Sequence, residues 1–432
     1  MAERKPIFFV GLDEFNHKTL ETLPQAGEFR FEPALTLAEM RGGGEADVEG
    51  LIARAAERMA AAPGGPAGVA SVFDFPGTII AAALAERFAL PGPEMAALFK
   101  CEHKYWSRLE QQKVVPEYIP TFRPFDPTDD DAFTKLGLIP PFWIKPVKSF
   151  RSFLAYAIPD ERQFRKILEV CRERGPAIVE PFRAVMRAHD MPDELTAMTE
   201  TFIAESQIGG AQCTLEGYAH EGRVVVYGVV DSVREADSSS FARYEYPSML
   251  PLEVQHRMID VVRAVLHQFG YAHGPFNAEF FYDQTNDHVW LLEINPRASQ
   301  SHADLFHKVN GVSHLSIVVD LAVGRKPRPL GRNGRWNVAA HFFTRTHEPG
   351  RVAHVPSRAA IERAATRQGD TRVQLMVERG TDLASLANQD SYSFELASVY
   401  VGGRDRVDAL EKYDRLLDVL QFEIEPEPAP VR

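Results

Sequence analysis

The sequence predicts an α/β (α+β) protein of several domains, and three observations carry that expectation. The chain has 432 residues, more than one hydrophobic core accommodates. Its first 90 or so residues alternate strand-like and helix-like segments. From Thr201 the pattern turns to β and reaches a hairpin whose last strand ends in an acid, an amide and a guanidinium at alternate positions.

Pro6 to Leu12 reads as a short buried strand. Residues 47–62 are Ala-rich with helical spacing and stop at Pro63-Gly64-Gly65-Pro66, a strong breaker. Gly68–Phe73 reads as a second strand and Gly77–Phe88 as a helix, the alternation that builds a small parallel sheet. Residues 1–92 are therefore expected to form an N-terminal α/β domain, closed by Leu90-Pro91-Gly92-Pro93. A polar helix at Cys101–Lys113, a strand at Pro140–Lys145, a helix at 161–174 and a strand at 177–180 follow. Residues 181–200 have weak periodicity and read as a long loop or insertion, ending a unit that spans 93–200. Residues 201–325 hold strand patterns with a hairpin turn at Ala219–Arg223, an amphipathic helix at 251–269, and the hairpin FNAEFFYDQTNDHVWLLEIN turning at DQTND. A basic Pro/Gly-rich linker, Lys326–Gly334, opens a unit at 326–422 of short strands and a helix at 405–420. Residues 423–432, proline and acid with little to bury, read as a disordered tail.

Net charge is -12 and the pI is near 5.7, which argues against a nucleic-acid surface built of clustered Lys and Arg. The three cysteines, Cys101, Cys171 and Cys213, lie far apart without a CxxC pair, which points to a reducing cytoplasm. The amino terminus has an apolar run of only four residues, and no stretch of 18 apolar residues follows, so no membrane partner is expected.

The hairpin raises a charge problem. Side chains on a strand alternate faces, so Glu293, Asn295 and Arg297 share one. Glu279 lies 14 residues before Glu293. A register centred near Asn286 puts the two acids opposite each other, about 5 Å apart at Cβ. Opposed carboxylates among Phe280, Phe281, Trp290 and Leu292 repel, and a divalent cation with hard oxygen ligands resolves the conflict. Two carboxylates plus the Asn295 carbonyl suit Mg2+, which completes its shell with water and phosphate oxygens. Arg297 suits a phosphate in fork geometry. The plainer alternative is a surface hairpin with exposed acids and a structural arginine.

This E-x-N-x-R ending, with an acid one strand earlier, resembles the ATP-grasp superfamily, and LLEINPRASQS is most similar to its carboxylate–amine ligase branch. The resemblance implies the ATP-grasp fold over residues 1–420: a small α/β domain, two ATP-clasping lobes and a C-terminal α+β unit. It implies ATP and Mg2+ or Mn2+ as cofactors, with Glu279, Glu293 and Asn295 on the metal and Arg297 on the transferred phosphoryl group. Lys104, early in a helix, and Lys145, ending an apolar strand, match the family's two phosphate-binding lysines. The alternatives are a solvated helix face for Lys104 and a snorkelling side chain for Lys145. Glu205 and Ile208, in FIAESQI, match a hinge that offers its backbone to adenine; Glu180 in AIVEPF competes for that place. Gln207, Leu292 and Phe281 join the candidate ATP contacts, Phe281 being equally readable as core. Relatives have a glycine-rich loop after the second lysine; here it reads PVKSFRSF, so Lys148, Ser149 and Ser152 would substitute with side-chain donors. The implied reaction forms an acyl-phosphate from a small carboxylate, which an amine attacks, with release of ADP and phosphate. A biotin-carboxylase-like subunit and a non-catalytic ATP-binding regulator are the alternatives. The former is disfavoured because Ala298-Ser299-Gln300-Ser301-His302 replaces that branch's Gln-Val-Glu-His run. Small carboxylate and amine substrates are the expected partners, and a homodimer is common in such folds.

Overall fold

The structure is a computed structural model, and it describes residues 4–41, 47–149, 154–236, 238, 240–386 and 393–426. The chain divides into two compact units: Met1–Gly228 with Leu250–Gln300 and His314–Pro329, and Val229–Met249 with Ser301–Ser313 and Leu330–Arg432.

The first unit begins with a parallel sheet of β1 (Lys5–Leu12), β2 (Phe29–Thr36) and β3 (Gly68–Ser71), in the order β2-β1-β3. The central strand is buried from Ile7 to Val10, as its unbroken apolar run requires. The patterning did not announce β2, whose Arg30, Glu32 and Pro33 interrupt the apolar positions. Helix Gly77–Arg87 follows β3 and is apolar almost all round, so nearly every residue is buried.

The second sheet is antiparallel and consists of β4 (Phe122–Phe125), β5 (Phe142–Pro146), β6 (Tyr156–Ile158) and β7 (Phe202–Ser206), ordered β4-β7-β5-β6. Phe164, Ile167, Leu168 and Cys171 form the apolar stripe of helix Glu161–Arg174 and share a core with Phe142, Ile144, Ile158, Phe202 and Ala204. Two expectations are corrected here. Residues 177–180 are not a strand and 181–200 are not a loop: helices Pro176–Ala188 and Asp193–Ala197 occupy them. Val179, Phe182, Val185 and Met186 recur at helical spacing and are buried, while Pro181, inside the helix, masks that period in the sequence.

The third sheet of this unit orders β8 (Ala211–His220), β9 (Arg223–Arg234), β11 (Gly274–Asp283) and β12 (His288–Asn295) as β12-β11-β8-β9. Helix Leu252–Phe269 covers one face, with Met258 Sδ 3.5 Å from Cys213 Sγ. Phe276, Ala278, Phe280 and Leu215 point to that core. The opposite face of β8 and β11 carries Gln212, Thr214, Glu216, Asn277, Glu279 and Phe281.

In the second unit the end of β9 pairs with β10 (Phe241–Tyr246), and β10 continues to β13 (Val338–Thr346), β16 (Phe394–Gly403) and β15 (Arg372–Leu375). Helix Arg406–Leu417 packs Ala409 and Leu416 with Ala340, Phe342, Val399 and Val401. The expected disordered tail is corrected in part: Glu423–Glu425 is a strand, β17, paired with β14 (Arg351–His354), and Ile424 packs against the small core of Val352 and Leu383. Among the described residues no helix is long and apolar enough to cross a membrane.

Candidate active site

The site forms on the open face of β11 and β12, and a one-residue irregularity puts it there. The loop between them leaves Asp283 opposite His288, a register that would set Glu279 against Leu292. Strict alternation from the buried Val289 and Leu291 would also turn Glu293 into the core. A bulge between Glu279 and Phe280 absorbs Leu292 as the extra residue. Glu279 then faces Glu293, Ala278 faces Ile294 and Asn277 faces Asn295. Leu292, Glu293 and Asn295 all stand half-buried on the open face, while Ile294 returns to the core.

Helix Lys104–Val114 holds the bulge from one side. Arg108 is 2% exposed and donates to the carbonyls of Leu291 (3.1 Å) and Leu292 (2.8 Å), to Gln111 Oε1 (2.6 Å) and to Glu205 Oε1 (2.6 Å). One turn earlier, Lys104 Nζ lies 2.9 Å from Glu293 Oε2 and donates to the Ser149 carbonyl at 3.3 Å. Lys104 therefore does not lie on a solvated face. Burial lowers its pKa, but Glu293 outweighs that and holds it above the ordinary lysine value. The converse applies to Glu293: burial raises its pKa, and Lys104 and Lys145 outweigh it and keep the carboxyl low.

Lys145, on β5, does not snorkel either: its Nζ meets Glu205 Oε2 at 2.5 Å. Its pKa is lowered, because the desolvation of burial exceeds the help from Glu205. Burial pushes the Glu205 carboxyl up, yet Arg108 and Lys145 overcome it and hold the group at about 2. Glu205 sits on β7 between Phe122 and Trp143, and Gln207 and Ile208 follow in the loop to β8. Gly210 closes that loop with φ +120°, where any Cβ would collide with the Tyr282 carbonyl. The competing Glu180 lies exposed on helix Pro176–Ala188 rather than on a strand, and pairs with Arg183.

The metal candidates come together. Glu279 accepts from Gln212 Nε2 at 3.0 Å, and Asn295 Nδ2 lies 3.3 Å from both Glu279 Oε1 and Asn277 Oδ1. Among the described residues no group of three or more His, Cys, Asp or Glu side chains is placed for a metal, so the candidate set is two carboxylates and one amide. That set of hard oxygen donors fits Mg2+ or Mn2+, with the remaining positions left to water and phosphate. Arg297, just beyond β12, makes a two-pronged bond with Asp74, Nε at 2.7 Å and Nη2 at 3.0 Å. Phe281 is half-buried on the Glu279 face and lies outside the core that takes Phe280. Lys148 and Ser149 are buried, and Lys148 pairs with Glu102 under the rings of Phe75 and Phe182. Ser152 lies outside the described residues.

Sequence reasoning missed Arg108, Gln212, Asn277, Glu216 and Asp74. Arg108 had a signal: it follows Lys104 by four residues, one helical turn on the same face. Gln212 and Glu216 share the alternation of β8. Glu216 is fully buried, accepting from Asn277 Nδ2 at 2.7 Å and from the Ser299 amide at 3.3 Å. Asp74 carries no such pattern.

Residues 138–303 match the ATP-grasp domain family, so this part of the chain is an ATP-grasp domain. The fold as a whole is similar to that of the L-amino acid ligase from Bacillus licheniformis, with a TM-score of 0.71 and 16% identity, over 98% of this chain and 100% of that one. It is also similar to N5-carboxyaminoimidazole synthase from Aspergillus clavatus, with a TM-score of 0.65 and 13% identity, over 97% and 99% of the two chains. In sequence, the carbamoyl phosphate synthase large chain of Clostridium acetobutylicum is 24% identical over 180 residues, which cover 38% of this chain and 16% of that protein. The chain spans under a third of the length of the curated relatives it matches.

Proposed function

We propose that the protein is an ATP-dependent carboxylate–amine ligase that activates a small carboxylate, in this reading an amino acid, and joins it to an amine. The observation that carries the reading is the opposed pair Glu279 and Glu293, with Asn295 beside them and Lys104 on Glu293. A half-buried face that gathers two acids and a lysine suits a metal-bound polyphosphate. Similarity to an L-amino acid ligase along nearly the whole chain supports the substrate class. The buried, free cysteines support a reducing compartment such as the cytoplasm.

Glu279, Glu293 and Asn295 would hold Mg2+, which when bound neutralises charge on the phosphates. Lys104 and Lys145 would grip the nucleotide phosphates as point charges. The loop after Glu205 would offer backbone groups to the adenine, with Ile208 donating and the Glu205 carbonyl accepting, and Phe281 would pack beside it. A carboxylate oxygen of the substrate attacks the γ-phosphorus and the bond to the β-phosphate oxygen breaks, so ADP leaves. Arg297 would meet the charge on the transferred group. The amine nitrogen then attacks the acyl carbon, phosphate departs with the bonding electrons, and the amine loses a proton. Catalysis here is positioning and charge neutralisation.

The test is Mg2+-dependent release of ADP and phosphate from ATP with pooled amino acids and small carboxylates, read with product masses, beside Glu293→Gln. Turnover that needs a pool member, gives a product of two substrates minus water and vanishes in the variant is the expected result. Absence of ATP binding by the wild type would overturn the reading.

A further inference from the structure

The loop that joins β3 to helix Gly77–Arg87 belongs to the N-terminal sheet, yet it reaches the candidate active site. Asp74 takes the Nε and Nη2 edge of Arg297 at 2.7 and 3.0 Å, the fork geometry in which a carboxylate fixes the plane of a guanidinium. The pair is largely enclosed, with 15% of the Arg297 side chain and 28% of the Asp74 side chain exposed.

The loop is built to hold Asp74 still. Ser71 Oγ donates to the Val10 carbonyl and accepts from the Phe73 amide, both at 3.1 Å. The Asp74 carbonyl accepts from the Gly77 amide at 2.8 Å. Phe75 packs edge-on against Phe182, ring centroids 5.2 Å apart. Thr78 donates to Glu102 at 2.7 Å, and Glu102 in turn holds Lys148. Together these contacts restrain the segment from Ser71 to Thr78 that carries the carboxylate.

We propose that Asp74 is a positioning residue for Arg297: by occupying one edge of the guanidinium it aims the other edge, with Nη1, at the phosphoryl group in transfer. Asp74 does not itself serve as the proton acceptor for the amine, because a carboxylate bonded twice to a guanidinium is a weak base. The role rests on the ligase reading and concerns the transferred group rather than nucleotide binding as such. A side chain that meets only the transferred group should matter most when that group is in flight.

The experiment titrates Mg-ADP, with and without aluminium fluoride as a mimic of the phosphoryl group in transfer, into wild type, Asp74→Asn and Asp74→Glu, so it needs no identified substrate. Thermal melting of each variant reports folding. The expected result is an Mg-ADP Kd within about 3-fold of wild type in both variants. The fluoride-dependent tightening should fall by roughly 10-fold or more in Asp74→Asn and return in part in Asp74→Glu, which keeps the charge. Wild-type tightening in Asp74→Asn would overturn the inference, and so would a wild type that binds Mg-ADP but gains nothing from fluoride; the ATP-site reading would survive both. A wild type that binds no Mg-ADP would bring down the ligase reading and the inference with it. A loss of Mg-ADP binding and tightening in equal measure in both folded variants would assign Asp74 to nucleotide binding instead, against the inference.

Discussion

Lys145 and Glu205 meet diagonally across adjacent strands with 2.5 Å between Nζ and Oε2, and Arg108 occupies the other carboxylate oxygen. Arg108 is buried and the Lys145 side chain is only 12% exposed, so each cation has little water to fall back on if the acid is lost. Glu205→Gln is expected to destabilise the protein by about 3–5 kcal/mol at neutral pH, measured by urea unfolding, because it strands two buried charges. The pH dependence has a definite sign. Glu205 sits at about 2 in the folded chain, below its ordinary value of 4.5. Its stabilising contribution is therefore complete above pH 4.5 and is lost as the pH falls toward 2, so the gap between wild type and variant should narrow over that window.

The two lysines should part company at alkaline pH. Burial lowers the Lys145 pKa, while Glu293 holds Lys104 above the ordinary value. A phosphate grip needs the ammonium form, which Lys145 gives up first. Mg-ATP affinity should begin to fall below the ordinary lysine value of 10.5, and Lys145→Arg, which cannot lose its proton, should move that limb upward. Isothermal titration across pH 7.5 to about 10 checks the order; an unchanged limb in Lys145→Arg would assign it elsewhere.

Leu292 is the extra residue of the bulge, and its side chain is not one of the candidate metal donors. Leu292→Ala keeps the extra residue and should leave Mn2+ affinity within about 3-fold of wild type. Deleting Leu292 removes the bulge and brings Glu293 directly after the core-facing Leu291, where plain alternation keeps it on the open face opposite Glu279, so Mn2+ affinity should again stay within about 3-fold, read by electron paramagnetic resonance.

Opposed carboxylates cost stability when no cation lies between them. Glu279→Gln should stabilise the metal-free protein by roughly 0.2–1 kcal/mol and lose the Mg2+-dependent rise in Tm. Wild type should gain about 2.7 kcal/mol when Mg-ATP is present at 100 times its Kd.

Much of this site was legible because it obeys local periodicities. The opposition of Glu279 and Glu293 was legible from their spacing of 14 residues, although the chain reaches it through the bulge, and a lysine at the end of PPFWIK had to lie at the mouth of an apolar strand. The bulge was not legible: Val289 and Leu291 on their own argue for burying Glu293, and the group that grips the bulge, Arg108, comes from a helix more than 180 residues earlier. Asp74 was hidden for the same reason, since its meaning lies wholly in a tertiary contact. Residues 177–200 were misread where Pro181 disguised a helix, and Phe29–Thr36 went unnoticed because an edge strand tolerates charge and proline.

The bond between Arg297 and Asp74 spans 223 residues of chain. During synthesis, Asp74, Lys104, Lys145 and Glu205 emerge from the ribosome long before the strand that carries the metal ligands and Arg297. A chain stopped short of that strand holds Lys104, Lys145 and Asp74 but lacks Glu293, Asn295 and Arg297. The protein therefore acquires its chemistry only after the hairpin of β11 and β12 has been made.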